Sequence, residues 1–84
     1  MGQINQKRLQ NERKFSDWID RQGGGRKYWF DVKGRFGWKA KYVKEVNIND
    51  ETIRFYQEIF DEKGNLVEIH DKFPVDKGHN KVKE

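Results

Sequence analysis

His70, Tyr56, Lys41, Arg54 and Glu68 are the residue types of a metal-independent ribonuclease: a general acid or base beside cations that stabilise the charge on a pentavalent phosphate. Small toxin nucleases use surfaces of this kind. A second chemistry is available to Trp29 and Tyr56, whose rings can accept stacked bases while Lys27, Lys41, Arg54 and Lys72 neutralise phosphates. Either requires these residues on one face, so the elements that carry them decide the matter. His70, Asp71, Asp76 and His79 have metal-ligating types. Neighbours in a strand point to opposite faces, however, and His79 falls in a polar terminal segment, so no metal site and no cofactor is expected.

An 84-residue chain has room for one small domain with a single two-layer core. Charged residues make up 38%, yet Leu, Ile, Val and Phe number 20, enough to place the chain above the disordered class. Without cysteine there are no disulfides or thiolate metal sites, and the N-terminus "MGQINQKRLQ" has no apolar run that could serve as a signal or a membrane span. A cytoplasmic protein that does not engage membranes is the expectation. Residues 1 to 46 carry 12 Lys/Arg against five Asp/Glu, and residues 47 to 84 carry six against nine, so the first half is the one to meet an anionic partner.

At 100° per residue Ile4, Phe15, Trp18 and Ile19 share one stripe, which predicts a helix over 3–21 stopped by Gly23-Gly24-Gly25. A phosphate loop would need a GK[ST] ending that the triple glycine lacks. From Arg26 onward the period is two, predicting strands 26–33, 38–46, 51–60 and 66–73. The expected fold is α+β: an N-terminal helix packed on one face of a four-stranded antiparallel β-meander, in a single domain of residues 1–75, with 76–84 a flexible tail.

The turns set the register. Asp61 to Gly64 fits a type I turn with Gly64 in the left-handed bulge position, pairing Phe60 with Leu66 and Tyr56 with His70. Loops at Asn47 to Asp50 and Gly34 to Phe36 then place Tyr28, Phe30, Val32, Trp38, Ala40, Tyr42, Ile53, Phe55, Ile59, Val67, Ile69 and Phe73 on a core face. The opposite face collects Lys27, Trp29, Lys41, Arg54, Tyr56, His70 and Lys72, with Arg35 and Phe36 at a hairpin tip. Trp29 is expected to be more exposed than Trp38.

"WFDVKGRFGW" resembles the cold-shock domain over about ten residues: Trp29, Phe30, Phe36, Gly37 and Trp38 fall at that family's spacing, while its Val-Phe-Val-His strand is missing. Gly34-Arg35-Phe36-Gly37 has the spelling of a KH-domain loop, but that loop joins two helices and this one joins two strands. The span from "YWFDVKGRFGWKAKYVKEV" through "RFYQEIFDEKGNLVEIHDKFPVDKGH" is similar to a family of short uncharacterised prokaryotic proteins, a resemblance that implies no activity and no site residues.

The expected function is nonenzymatic binding of RNA, single-stranded DNA or an acidic protein through the basic aromatic face. Two alternatives stand beside it: a toxin-type ribonuclease using His70, Tyr56 and Lys41, and a homodimer or partner complex formed through the open face or an edge strand. Each has a plainer counterpart, in which His70 is a cross-strand neighbour of Tyr56 and scattered surface aromatics are normal.

Overall fold

The computed structural model describes residues 6–76 and 78–82. It contains one helix, α1 (Gln6–Lys14), and six strands: β1 (Asp17–Asp20), β2 (Arg26–Lys33), β3 (Lys39–Val46), β4 (Thr52–Phe60), β5 (Leu66–Phe73) and β6 (Gly78–Lys81). The strands form one antiparallel sheet in chain order, and a single 3₁₀ turn, Arg35–Gly37, joins β2 to β3. The expected four-stranded meander is therefore corrected to six strands, one added at each edge.

The expected helix over 3–21 is in fact a nine-residue helix followed by a strand. Ile4 lies outside the described residues. The amide of Phe15 closes the last helical turn on the Asn11 carbonyl at 2.8 Å. Ser16 and Asp17 then break the run, because their side chains compete for backbone groups. Beyond them Trp18 and Ile19 point to opposite faces, as strand neighbours must, so the stripe they share with Phe15 at helical spacing never forms. The triple glycine is a hairpin turn between β1 and β2 instead of a helix cap. Gly25 has to be glycine because a Cβ there would run into the Val46 carbonyl.

Within α1, Leu9 is the sole large apolar residue, and the helix docks through polar tethers. Buried Asn11 accepts a hydrogen bond from Lys44 Nζ at 2.8 Å, Glu12 pairs with Arg26 at 2.8 Å, and Arg8 lies 3.8 Å from Asp50. Arg26 is itself buried, also binds Asp20 at 2.9 Å, and lies over the Trp18 and Tyr28 rings. Burial by itself would lower its pKa, but Asp20 and Glu12 more than offset this and the pKa is raised. One guanidinium thus joins α1, β1 and β2.

The core on the helix side is Phe15, Tyr28 and Val46, with Phe30 and Phe55 packed against it. Phe15 and Tyr28 meet at 5.6 Å between ring centroids, and Phe30 stacks on Tyr42 at 5.0 Å.

The first four hairpins share one design. Hydrogen bonds pair Arg21 with Gly25, Gly34 with Trp38, Asn47 with Glu51 and Asp61 with Asn65, each enclosing three residues. The last enclosed residue is left-handed every time: Gly24 (φ 97°), Gly37 (φ 79°), Asp50 (φ 59°) and Gly64 (φ 85°). Asn47 and Asp61 brace their turns alike, with Oδ1 accepting from the amides two and four residues on. The turn expected at Asp61 to Gly64 thus has its glycine in the expected conformation. The loops expected at 34–36 and 47–50 enclose 35–37 and 48–50 instead, and a bulge at Glu45/Val46 adds a further step.

Phe15→Ala should cost about 3–5 kcal/mol, the usual penalty for emptying a buried aromatic site. Gly25→Ala should cost about 1–3 kcal/mol through overpacking against β3. Urea unfolding of both variants measures these losses, and a neutral Gly25→Ala would mean that the β1–β2 turn does not meet the end of β3 as closely as described.

Candidate functional site

The expected binding residues divide between two faces and a tip. Lys27, Trp29, Lys41, Arg54 and Tyr56 lie on the face away from α1. His70 and Lys72 lie on the helix side, because bulges at Ile59/Phe60 and Phe55/Tyr56 shift the β4–β5 register. Phe60 pairs with Leu66 as expected, but one residue later Ile59 pairs with Glu68, so Gln57 faces His70 and Tyr56 faces Asp71. The expected Tyr56–His70 pair is thereby corrected, and Ile69 moves to the Glu58 face. His70 accordingly does not converge with Tyr56 and Lys41.

On the face away from the helix, Trp29, Val43 and Tyr56 stand opposite one another across three strands, with Val43 and Tyr56 buried. This row is a second small core. Arg54 covers it, its guanidinium 4.0 Å from the Tyr56 ring centroid and 2.8 Å from Asp71. Burial would lower the Arg54 pKa, but the hydrogen bond that Arg54 donates to Asp71 reverses the effect and the pKa is raised. Lys41 Nζ sits 5.3 Å over the Trp29 ring, and Lys27 stands opposite Glu45. Burial, with Glu58 and Glu45 adding to it, pushes the Tyr56 hydroxyl up to about 12. Tyr56 is thus inaccessible as a stacking platform, and Arg54 already has a carboxylate.

On the helix side Lys72 Nζ lies 5.0 Å over Tyr42 and 5.8 Å over Phe55. A groove beside it is lined by Lys14, Phe15, Lys44, Thr52, Phe55 and Phe73. Burial there, with Lys14 and Lys7 nearby, lowers the Lys44 pKa, and its ammonium is held by Asn11. Sequence periodicity gave no signal for this groove, since polar contacts of α1 build it.

At the β2–β3 tip the cations stand clear of such partners. Lys33 and Lys39 are directly opposite each other, and both are exposed. Between them Arg35 is exposed and Phe36 is 88% exposed at φ 58°. Trp38, expected in the core, lies just outside β3 and is 38% exposed, its indole donating to Glu62 at 2.8 Å. Trp29 is the more buried of the two, which reverses the expected order.

Among the described residues no helix is long and apolar enough to cross a membrane. No protein-family model matches the chain, and no curated protein or solved structure shows significant similarity to it.

Two measurements test this geometry. Trp29→Ala should destabilise more than Trp38→Ala in urea unfolding. Ultraviolet titration should find one tyrosine ionising near pH 12. Because the folded pKa of Tyr56 exceeds its ordinary value near 10, its contribution to stability is complete below pH 10 and is lost as pH rises through about 12. Tyr56→Phe should flatten that alkaline loss.

Proposed function

We propose that the protein binds single-stranded nucleic acid through the β2–β3 hairpin tip. The observation that carries this reading is the Lys33–Lys39 pair, two like charges directly opposite, topped by Arg35 and an almost fully exposed Phe36. Like-charged cross-strand pairs destabilise a sheet, by a penalty on the scale of the roughly 0.2–1 kcal/mol that favourable pairs contribute. A left-handed non-glycine residue adds local strain of the sort that gathers at functional sites. A bound phosphate would relieve the repulsion, and a base stacked on Phe36 would cover its ring.

The tip also differs from the sheet faces in availability. Arg54 has Asp71 as its partner, and Lys41 and Lys72 rest over aromatic rings. Lys33, Arg35 and Lys39 form a compact basic group that a flexible single strand can approach without displacing packed structure.

Fluorescence titration of single-stranded RNA and DNA at two salt concentrations tests the proposal, because phosphate contacts impose a steep salt dependence. Lys39→Ala should lower affinity and reduce the salt slope by about one. The same change should raise stability by up to about 1 kcal/mol, since it removes the opposed charge. Phe36→Ala should weaken binding by about 1–3 kcal/mol with little effect on folding. Salt-insensitive titrations, or wild-type affinity in both variants, would remove the tip from recognition.

A further inference from the structure

The last hairpin brings together two imidazoles far apart in type from the basic tip. His70 on β5 stands directly opposite His79 on β6, the segment expected from sequence to be a tail. His70 Nδ1 and His79 Nε2 are 3.1 Å apart. Each outer nitrogen is turned to a carboxylate, His70 Nε2 to Asp76 Oδ1 at 2.6 Å and His79 Nδ1 to Glu68 Oε1 at 3.4 Å. The Gly78 amide donates to the same Asp76 oxygen at 2.9 Å.

Hydrogen placement follows from these contacts. An ionised carboxylate only accepts, so His70 Nε2 carries a hydrogen and Nδ1 of the neutral ring keeps its lone pair. The Glu68 carboxylate, 3.4 Å from His79 Nδ1, attracts a hydrogen to that nitrogen, and in that tautomer the lone pair is on Nε2. With the hydrogen of His79 on Nε2, that nitrogen donates to His70 Nδ1 across the 3.1 Å gap; with it on Nδ1, the gap holds two lone pairs that a metal ion can take. Two nitrogens bound at about 2.0–2.1 Å to one ion, at roughly tetrahedral or right angles, lie about 2.9–3.4 Å apart.

The geometry points to a bis-imidazole site for a divalent first-row transition metal, formed by His70 Nδ1 and His79 Nε2 with water in the remaining positions. The spacing is already that of a chelate. The carboxylates occupy the outer positions, where such groups fix the tautomer of metal-binding histidines. Among the described residues no group of three or more histidine or acidic side chains could hold an ion, so the site offers two protein ligands and suits an exchangeable ion. Imidazole favours zinc, copper or nickel over calcium or magnesium. The 3.1 Å separation argues against the pair as opposed acid and base on a phosphodiester, since no substrate atom fits between them.

Calorimetric titration of the untagged full chain with zinc, nickel and copper chlorides at pH 7.5 tests the inference, alongside electron paramagnetic resonance of the copper form. One equivalent should bind, with two nitrogen ligands in the copper spectrum. Both His70→Ala and His79→Ala should abolish that binding, and amide spectra of the variants confirm that the sheet persists. Asp76→Asn, which keeps both ligands, should weaken affinity about 10–100-fold through loss of the outer contact. Acidification to pH 5.5 should also weaken it, because both nitrogens must be free of protons. Undiminished binding in both alanine variants would place the metal elsewhere, and absence of binding by the wild type would leave the two rings joined by a hydrogen bond alone; either result overturns the site. RNA titrations at the tip are independent of these outcomes.

Discussion

A nine-residue helix cannot cover a six-stranded sheet. At 1.5 Å per residue α1 is about 13 Å long. Six strands at about 4.8 Å spacing extend roughly 24 Å across. Most of the sheet must therefore be shielded by other means, and the positions of the charged side chains follow from that shortage. Lys14, Arg26, Lys41, Arg54 and Lys72 each lie over an aromatic ring, their alkyl stems and flat groups doing what a second helix would do elsewhere. Five of the 18 Lys and Arg residues are thus invested in covering the fold, and the high charge fraction coexists with two small cores, one on each side.

The alternation from Arg26 onward was legible because strand periodicity is local. Tyr28 and Phe30 fall on the helix side and Trp29 on the other, as their parity requires. The flip within β5 was hidden, since an extra residue at Ile59/Phe60 exchanges the side chains from Glu68 to Lys72 between faces before a second bulge at Phe55/Tyr56 returns Phe73 to Phe55, and neither leaves a compositional trace. Helical spacing at Phe15, Trp18 and Ile19 was equally compatible with a buried anchor followed by a strand. Phe30-Asp31-Val32-Lys33-Gly34 and Phe60-Asp61-Glu62-Lys63-Gly64 agree at four of five positions, yet Gly34 is extended at φ −101° and Gly64 is left-handed at φ 85°. A second glycine, Gly37, lets the first of these turns form later. The tip residues Arg35 and Phe36 were nevertheless identifiable, because glycines on both sides mark a loop in any register. The histidine pair required β6, whose polar sequence carries no strand signal.

The edges deserve the same physical reading. Both outer strands are only four residues long, shorter than any interior strand. β1 begins with Asp17 and ends with Asp20, and β6 ends in Lys81. Short charged borders offer little template for a further strand, so growth of the sheet by end-to-end pairing is discouraged even though its interior is rich in β-branched and aromatic residues.

Sheet order and chain order are identical, and four successive turns enclose three residues each. Every strand therefore finds its partner within one hairpin, without waiting for distant segments to meet. The loop-closure entropy that slows most all-β topologies is met in small instalments, so the search for the native sheet can advance strand by strand. The elementary step such a topology asks for is the closing of one turn, a microsecond event in isolated hairpins. The seating of α1 on Lys44 is the contact that instead joins distant parts of the chain.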